Sequence, residues 1–171
     1  ANAGSWNVSV DADGTTEQGT AVSADELAIQ TITVGSGTLS ASAGGHPDPD
    51  IFLADSTGND MGVFTFSSAN EAYTVSKMQF TLPNNLATST MAVNLSYPKA
   101  DGSTGTASTV MIAGSEANAT ATFTGLDMYV PKDDDATLSV SIDTSSIANG
   151  ATSGASGALT FKYDQGFKAT G

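Results

Sequence analysis

Three groups of closely spaced acidic residues are the part of this sequence whose residue types could do chemistry. They are Asp48, Asp50, Asp55 and Asp60 in the first group, 133–135 in the second, and Asp11 with Asp13 in the third. Carboxylates on loops that contain Gly and Pro suit a hard cation such as calcium, which takes roughly six to eight oxygen ligands. None of the groups completes an EF-hand loop, and a solvated acidic surface is the alternative interpretation. The first group is the calcium site that the sequence predicts.

The residues that most catalytic sites need are scarce. The chain has no cysteine, which excludes disulfides and cysteine-based metal sites. Its one histidine, His46, stands between Gly45 and Pro47, where a loop position without a ligand role is expected. A glycosidase would need two carboxylates at a set separation, and the 18 acids leave such a pair open. No catalytic constellation emerges, so we expect that the protein is not an enzyme.

The charge of the chain excludes several partners. Its 171 residues include 18 acids and 5 bases, giving a net charge of −13, and every base is a lysine. Such a chain is poorly suited to neutralise phosphates or to bind anionic lipid. It also lacks an apolar run of about 18 residues, the length that spans a membrane as a helix. We therefore expect neither a nucleic-acid partner nor a membrane span.

The start of the chain and its composition indicate an extracellular or cell-surface protein. Ala, Gly, Ser and Thr make up just over half of the residues, and the chain opens on small polar residues with no signal-peptide pattern. We expect a secreted protein whose signal peptide has been removed. Three N-glycosylation sequons begin at Asn7, Asn94 and Asn118.

Apolar and polar residues alternate with a period of two wherever a pattern is visible. The runs are 6–10, 29–34, 73–82, 91–97, 109–112, 119–123, 126–130, 138–142 and 159–163. About nine or ten short strands with turn signals between them predict an all-β fold, a single antiparallel sandwich of immunoglobulin-like or jelly-roll-like type. Capping-box spacing at 23–26 and at 68–71 predicts one helical turn at each place.

The first strand is separated from the others by a polar, Gly- and Thr-containing stretch at 11–24. We therefore expect an N-terminal strand and linker over 1–24 and a β-sandwich domain over 25–171. Trp6, Val8 and Val10 share one face of this strand by alternation. Such a strand can complete the sheet of a neighbouring copy, as a donor strand. Pairing within its own domain is the alternative.

Residues 64–143 resemble immunoglobulin-like β-sandwich repeat domains of bacterial secreted and cell-surface proteins. The resemblance lies in 71–82, in 119–126 and in 130–143, which end in the sequences FTL, TFTGL and SVSID. It implies an extracellular structural role, and it implies no functional residue.

Two functions of different classes follow from these observations. The first is a structural subunit of an extracellular filament or surface layer that assembles with copies of itself, with the N-terminal strand as its donor strand. The alternative is a calcium-dependent carbohydrate-binding or adhesive β-sandwich module, with a polysaccharide as its partner.

Overall fold

Alternating apolar and polar residues place most of this chain in β-strands. The structure is a computed structural model, and it describes residues 4–15, 21–34, 36–45, 51–113, 118–164 and 166–171. The strands are β1 (Gly4–Thr15), β2 (Ala21–Val34), β3 (Thr38–Ala43), β4 (Asn59–Ala69), β5 (Tyr73–Pro83), β6 (Thr90–Pro98), β7 (Thr104–Thr109), β8 (Asn118–Val130), β9 (Asp135–Thr144), β10 (Thr160–Phe161) and β11 (Lys168–Thr170). Short 3₁₀ turns occur at Asn84–Leu86 and Ile147–Asn149, and the described ranges contain no α-helix. The predicted all-β class is confirmed.

The chain divides into two compact units, Ala1–Gly37 and Thr38–Gly171. The first contains β1 and β2, which form an antiparallel hairpin that we call the N-terminal hairpin. Residues 11–15 and 21–24 belong to its strands and are not the linker that their composition predicted, because the two strands continue to pair up to Thr15 opposite Ala21. The expected domain boundary between 24 and 25 lies inside β2, and the first unit extends to Gly37.

The second unit is a sandwich of two antiparallel sheets. The five-stranded sheet has the order β3-β4-β9-β6-β7. In the four-stranded sheet, β8 pairs along one edge of β5, while β10 and β11 pair in succession with the other edge. The inner faces meet in one core, whose fully buried side chains include Phe66 and Leu138 from the first sheet and Phe80 and Met128 from the second.

A group of phenylalanine rings fixes the C-terminal segment to this core. The Phe161 ring lies 5.6 Å from Phe64, 6.0 Å from Phe66, 5.5 Å from Phe80 and 5.7 Å from Phe167 between centroids. Tilted and edge-on pairs at these distances are favourable for aromatic rings. The rings therefore hold β10 and β11 against β5, although these two strands have only two and three residues.

Both predicted helical turns are wrong. Residues 23–26 lie in β2, where pairing with β1 overrides the local capping pattern. Ser68 lies in β4, and its hydroxyl donates to the carbonyl of Pro131 instead of capping a helix. The strand predicted at 109–112 is also misplaced, since β7 spans Thr104–Thr109 and shares only Thr109 with the predicted segment, while Ile112 forms an isolated bridge to Thr120.

Candidate functional site

The open end of the N-terminal hairpin, where Gly4 pairs with Val34, is called its base. The register of the hairpin gives this base one apolar face. Residues that stand opposite each other across two strands lie on the same face of the sheet. One face of the base bears Gly4, Trp6 and Val8, with Val34, Ile32 and Gln30 opposite; the other bears Ser5 and Asn7, with Thr33 and Thr31 opposite. The three predicted anchors Trp6, Val8 and Val10 therefore lie in β1, in a ribbon that is amphipathic at its base.

The same hairpin brings acidic residues together in one β-bulge. The register shifts between Val10, which is opposite Leu27, and Ala12, which is opposite Ala24. This bulge contains Asp11 on β1 and both Asp25 and Glu26 on β2, and Asp13 follows two residues later. Strands lie about 4.8 Å apart and rise about 3.4 Å per residue, so the backbones of these four acids lie within about 10 Å. We call them the hairpin acids.

The outer face of the five-stranded sheet is lined with hydroxyl groups. Its central part forms an open hollow of about 620 Å³. The polar residues that line it are Asp60, Asn94, Ser96, Thr106, Ser108, Ser139 and Ser141. Cross-strand pairing explains their common side, since Asn94 stands opposite both Ser108 and Ser141, and Asp60 stands opposite Ser141. This hollow offers hydrogen-bonding groups and no aromatic ring.

The outer face of the four-stranded sheet bears three of the five lysines. Lys77 on β5 stands directly opposite Lys168 on β11, and the Lys162 amide donates to the carbonyl of Gln79, at 2.8 Å. Lys162 is therefore a diagonal neighbour of Lys77, and such neighbours have Cα atoms about 7–8 Å apart. Lys162 and Lys168 are exposed, and Lys77 is half-buried. We call this surface the lysine face.

Hydroxyl groups, and no acids, flank these lysines on the neighbouring strand β8. Thr124 stands opposite Lys77, and the hydroxyl of Thr122 accepts a hydrogen bond of 2.9 Å from the side-chain amide of Gln79. In the described part of the chain, no carboxylate oxygen lies within 4.0 Å of the ammonium nitrogen of Lys77, Lys162 or Lys168. The lysine face thus gathers three of the five lysines on one sheet face of a strongly acidic protein.

The other two lysines have carboxylate partners. Lys99 Nζ lies 2.8 Å from Asp127 Oδ2, and Lys132 Nζ lies 3.9 Å from Asp133 Oδ2. Gly125, whose φ is 70°, and Asp127 both lie where the register of β5 and β8 shifts, between the pairs Lys77–Thr124 and Val75–Met128. The hydrogen bond with Lys99 lowers the pKa of Asp127, and the same contact raises the pKa of Lys99. Burial, followed by the hydrogen bond with Asp127, raises the pKa of Tyr97.

The two predicted calcium ligands that the structure describes, Asp55 and Asp60, lie in different settings. Asp55 lies in an exposed turn, where its amide donates to the carbonyl of Ser145 at 3.0 Å. Asp60 lies on the outer face of the five-stranded sheet, where its Oδ1 accepts the amide of Gly62 at 2.9 Å. Asp48 and Asp50 lie outside the described residues, as does His46. Among the described residues no group of three His, Cys, Asp or Glu side chains could hold a metal, and calcium stays a prediction.

Hydrogen bonds hold the loop that contains Asp55 against the end of β9. The hydroxyl of Thr144 donates to the carbonyl of Leu53 at 2.7 Å, and the Thr144 amide donates to the carbonyl of Ser56 at 2.8 Å. The Asp143 carboxylate accepts the amide of Gly58 at 2.8 Å. This end of the loop is therefore fixed by the chain itself.

The second acidic group, at 133–135, forms a turn. Asp133 has a φ of 57°, and its Oδ1 accepts the amide of Asn70 at 2.6 Å. Asp134 Oδ1 accepts the amide of Asp135 at 2.8 Å. Short carboxylates commonly stabilise turns in this way, so these acids connect β8 and β9.

The three sequon asparagines lie in different settings. Asn118 is exposed at the start of β8, whereas Asn94 is half-buried in β6 at the hollow. Asn7 lies in β1. Their glycosylation stays a prediction.

The lysine face and the grouping of the hairpin acids were not predicted from the sequence. The only local signal was the alternation that placed Lys77 and Lys162 on the polar side of their strands. Nothing in the sequence pairs β5 with a segment about 90 residues later, so the grouping of these lysines needed the tertiary structure.

The chain matches no family model, and comparisons with curated proteins and with solved structures gave no significant match. The resemblance of 64–143 to immunoglobulin-like repeat domains therefore stays a prediction. Among the described residues no helix is long and apolar enough to cross a membrane.

Proposed function

We propose that this protein is a structural subunit of an extracellular filament or surface layer that assembles with copies of itself. The observation that supports the proposal best is the N-terminal hairpin, which forms a compact unit of only two strands. An isolated two-stranded hairpin is at best marginally stable in water, and it becomes stable when a further strand or a packing surface covers its apolar face. A neighbouring copy supplies that cover in the proposed assembly.

The intrachain pairing of β1 changes the form of the donor-strand hypothesis. Because β1 pairs with β2 from Gly4 to Thr15, the proposed donated element is the whole hairpin, with the apolar residues Trp6, Val8 and Val10 in its first strand. Addition of extended chain to another protein uses main-chain hydrogen bonds for affinity and alternate side chains for specificity.

The composition of the sandwich supports a role in packing. Small hydroxyl residues cover the outer face of the five-stranded sheet, and the edge strands β3 and β7 contain no charged residue, proline or bulge. Such unprotected edges favour association with other strands. A protein that remains monomeric usually protects its edges.

Removal of residues 1–37 tests the proposal. The Thr38–Gly171 unit has its own core, so the truncated protein should fold, as measured by circular dichroism and thermal unfolding. We expect the native protein to form filaments or sheets in negative-stain microscopy and to sediment as a polymer, and the truncated protein to sediment as a monomer. A native protein that stays monomeric at high concentration, or a truncated protein that still polymerises, would contradict the proposal.

A second candidate is a carbohydrate-binding or adhesive module, with calcium as a proposed cofactor. The hollow on the five-stranded sheet favours it, because hydroxyl, amide and carboxylate groups are the groups that fix sugars in a binding site. Retention on insoluble polysaccharide, compared between the native protein and a Ser141→Tyr variant that fills the hollow, measures this activity. Equal passage of both proteins, with and without calcium, removes the candidate.

A further inference from the structure

The lysine face brings like charges together, and the N-terminal hairpin is rich in the opposite charge. Lys77 and Lys168 stand directly opposite each other in the four-stranded sheet, and like charges at such positions destabilise a sheet. Three of the hairpin acids lie in one bulge of the backbone, and Asp13 follows two residues later. Lys77 and Lys168 are closer together than the screening length of about 8–10 Å at ordinary ionic strength, so their repulsion is not fully screened.

The lysine face and the first unit are complementary in the sign of their charges. The first unit contains five acids and no base, and four of those acids are the hairpin acids. The lysine face has three cations, and Thr124, which stands opposite Lys77 on β8, is neutral. A contact with the acidic hairpin would offset the repulsion among the lysines, and charge complementarity of this kind also fixes the register of an interface.

We propose that the lysine face receives the hairpin acids of a second copy of this chain. The inference rests on the proposed function, since it names the surface onto which the donated hairpin docks. The contact joins two different surfaces of the same protein, so each copy presents both a donor and an acceptor. Head-to-tail contacts of this type generate rings or open filaments and not closed dimers.

Reciprocal charge reversal tests the inference on the full-length protein. One variant is K77E/K162E/K168E on the lysine face, and the other is D11K/D25K/E26K on the hairpin. The two variants shift the net charge of −13 by six units in opposite directions. If net charge alone governed association, they would have opposite effects. We expect both variants to raise the critical concentration for assembly by roughly tenfold or more, since each loses several ion pairs that individually contribute a few-fold to affinity.

The combined six-residue variant should restore assembly to within a few-fold of the native protein, because it recreates the contact with reversed sign. K99E/K132E, which changes the two lysines outside the lysine face, should assemble like the native protein. Circular dichroism confirms that each variant is folded, and K77Q/K162Q/K168Q replaces the first variant if reversal prevents folding.

Several outcomes would overturn the inference. The first is native-like assembly of either triple variant, and the second is failure of the combined variant to assemble. The third concerns concentrations at which the protein is monomeric: there, β1 and β2 would be protected from hydrogen exchange in the native protein and would lose that protection when the lysines are replaced. The last outcome would place the hairpin on its own sandwich. In each case loss of assembly on removal of residues 1–37 still supports the proposed function, so the two proposals fail separately.

Discussion

Replacement of Phe161 by alanine should detach the C-terminal segment from the sandwich. The ring is half-buried and lies within 6.0 Å of four other phenylalanine rings. Truncation of a fully buried phenylalanine costs about 3–5 kcal/mol, and the pairing of two rings contributes about 0.5–1.5 kcal/mol beyond the buried area. Because Phe161 is at the edge of the core, where neighbours can partly close the cavity, we expect a loss of about 2–4 kcal/mol.

Urea unfolding followed by circular dichroism measures this loss as a lower midpoint at an unchanged slope. The matched control is Tyr163→Ala, since Tyr163 is two residues away and 79 % exposed. We expect the control to change the free energy of unfolding by less than about 0.5 kcal/mol. A Phe161→Ala protein whose stability lies within about 1 kcal/mol of the native value would refute the role of this ring as the anchor.

The Phe161→Ala variant should also loosen the C-terminal segment, which bears two lysines of the lysine face. Phe161 is adjacent to Lys162, and Phe167 is adjacent to Lys168, so the phenylalanine rings position two of the three cations of the lysine face. Amide hydrogen exchange should become faster in 160–170 of the variant before the rest of the sandwich opens. If exchange there were unchanged, the segment would be held by its backbone hydrogen bonds to β5 alone.

Two further substitutions test contacts elsewhere in the sandwich. Gly105→Ala should destabilise the protein by about 1–3 kcal/mol, because the new Cβ would overlap the Tyr97 ring on the paired strand. The control in thermal unfolding is Gly45→Ala, where a Cβ meets nothing within 4 Å. Equal melting temperatures of the two variants would contradict the contact between Gly105 and Tyr97. Asp127→Asn should be less stable than the native protein at neutral pH. Since Lys99 lowers the pKa of Asp127 in the folded state, the native carboxylate contributes stability above its unfolded pKa of about 3.9 and loses it as the pH falls through the lower folded value. The difference between the two proteins should therefore close in acid, and a difference that persists to about pH 2 would show that the ion pair is not its cause.

Local patterns in the sequence were sufficient to predict the fold class and several strands. The segments 73–82, 91–97 and 138–142 alternate apolar and polar residues, and all three lie in strands; their apolar residues lie in or against the core, except the exposed Met91. Alternation is a property of consecutive residues, so it can be recognised without knowing what a strand pairs with. Segments with small residues, such as β3, gave no such signal, because Ser and Ala alternate without a clear difference in hydropathy.

The candidate site depended on pairing between distant segments. Lys77 and Lys168 become neighbours because β11 pairs with β5, and Asp11 stands across from Asp25 and Glu26 in the backbone because the register of the hairpin shifts between Val10 and Ala12. The sequence by itself determined that these residues are charged and which side of a strand each lysine occupies. Only the tertiary structure decided which charges are neighbours, because strand order and register follow from how the strands pack together. Even a clear local pattern of apolar and polar residues is compatible with many strand orders and registers.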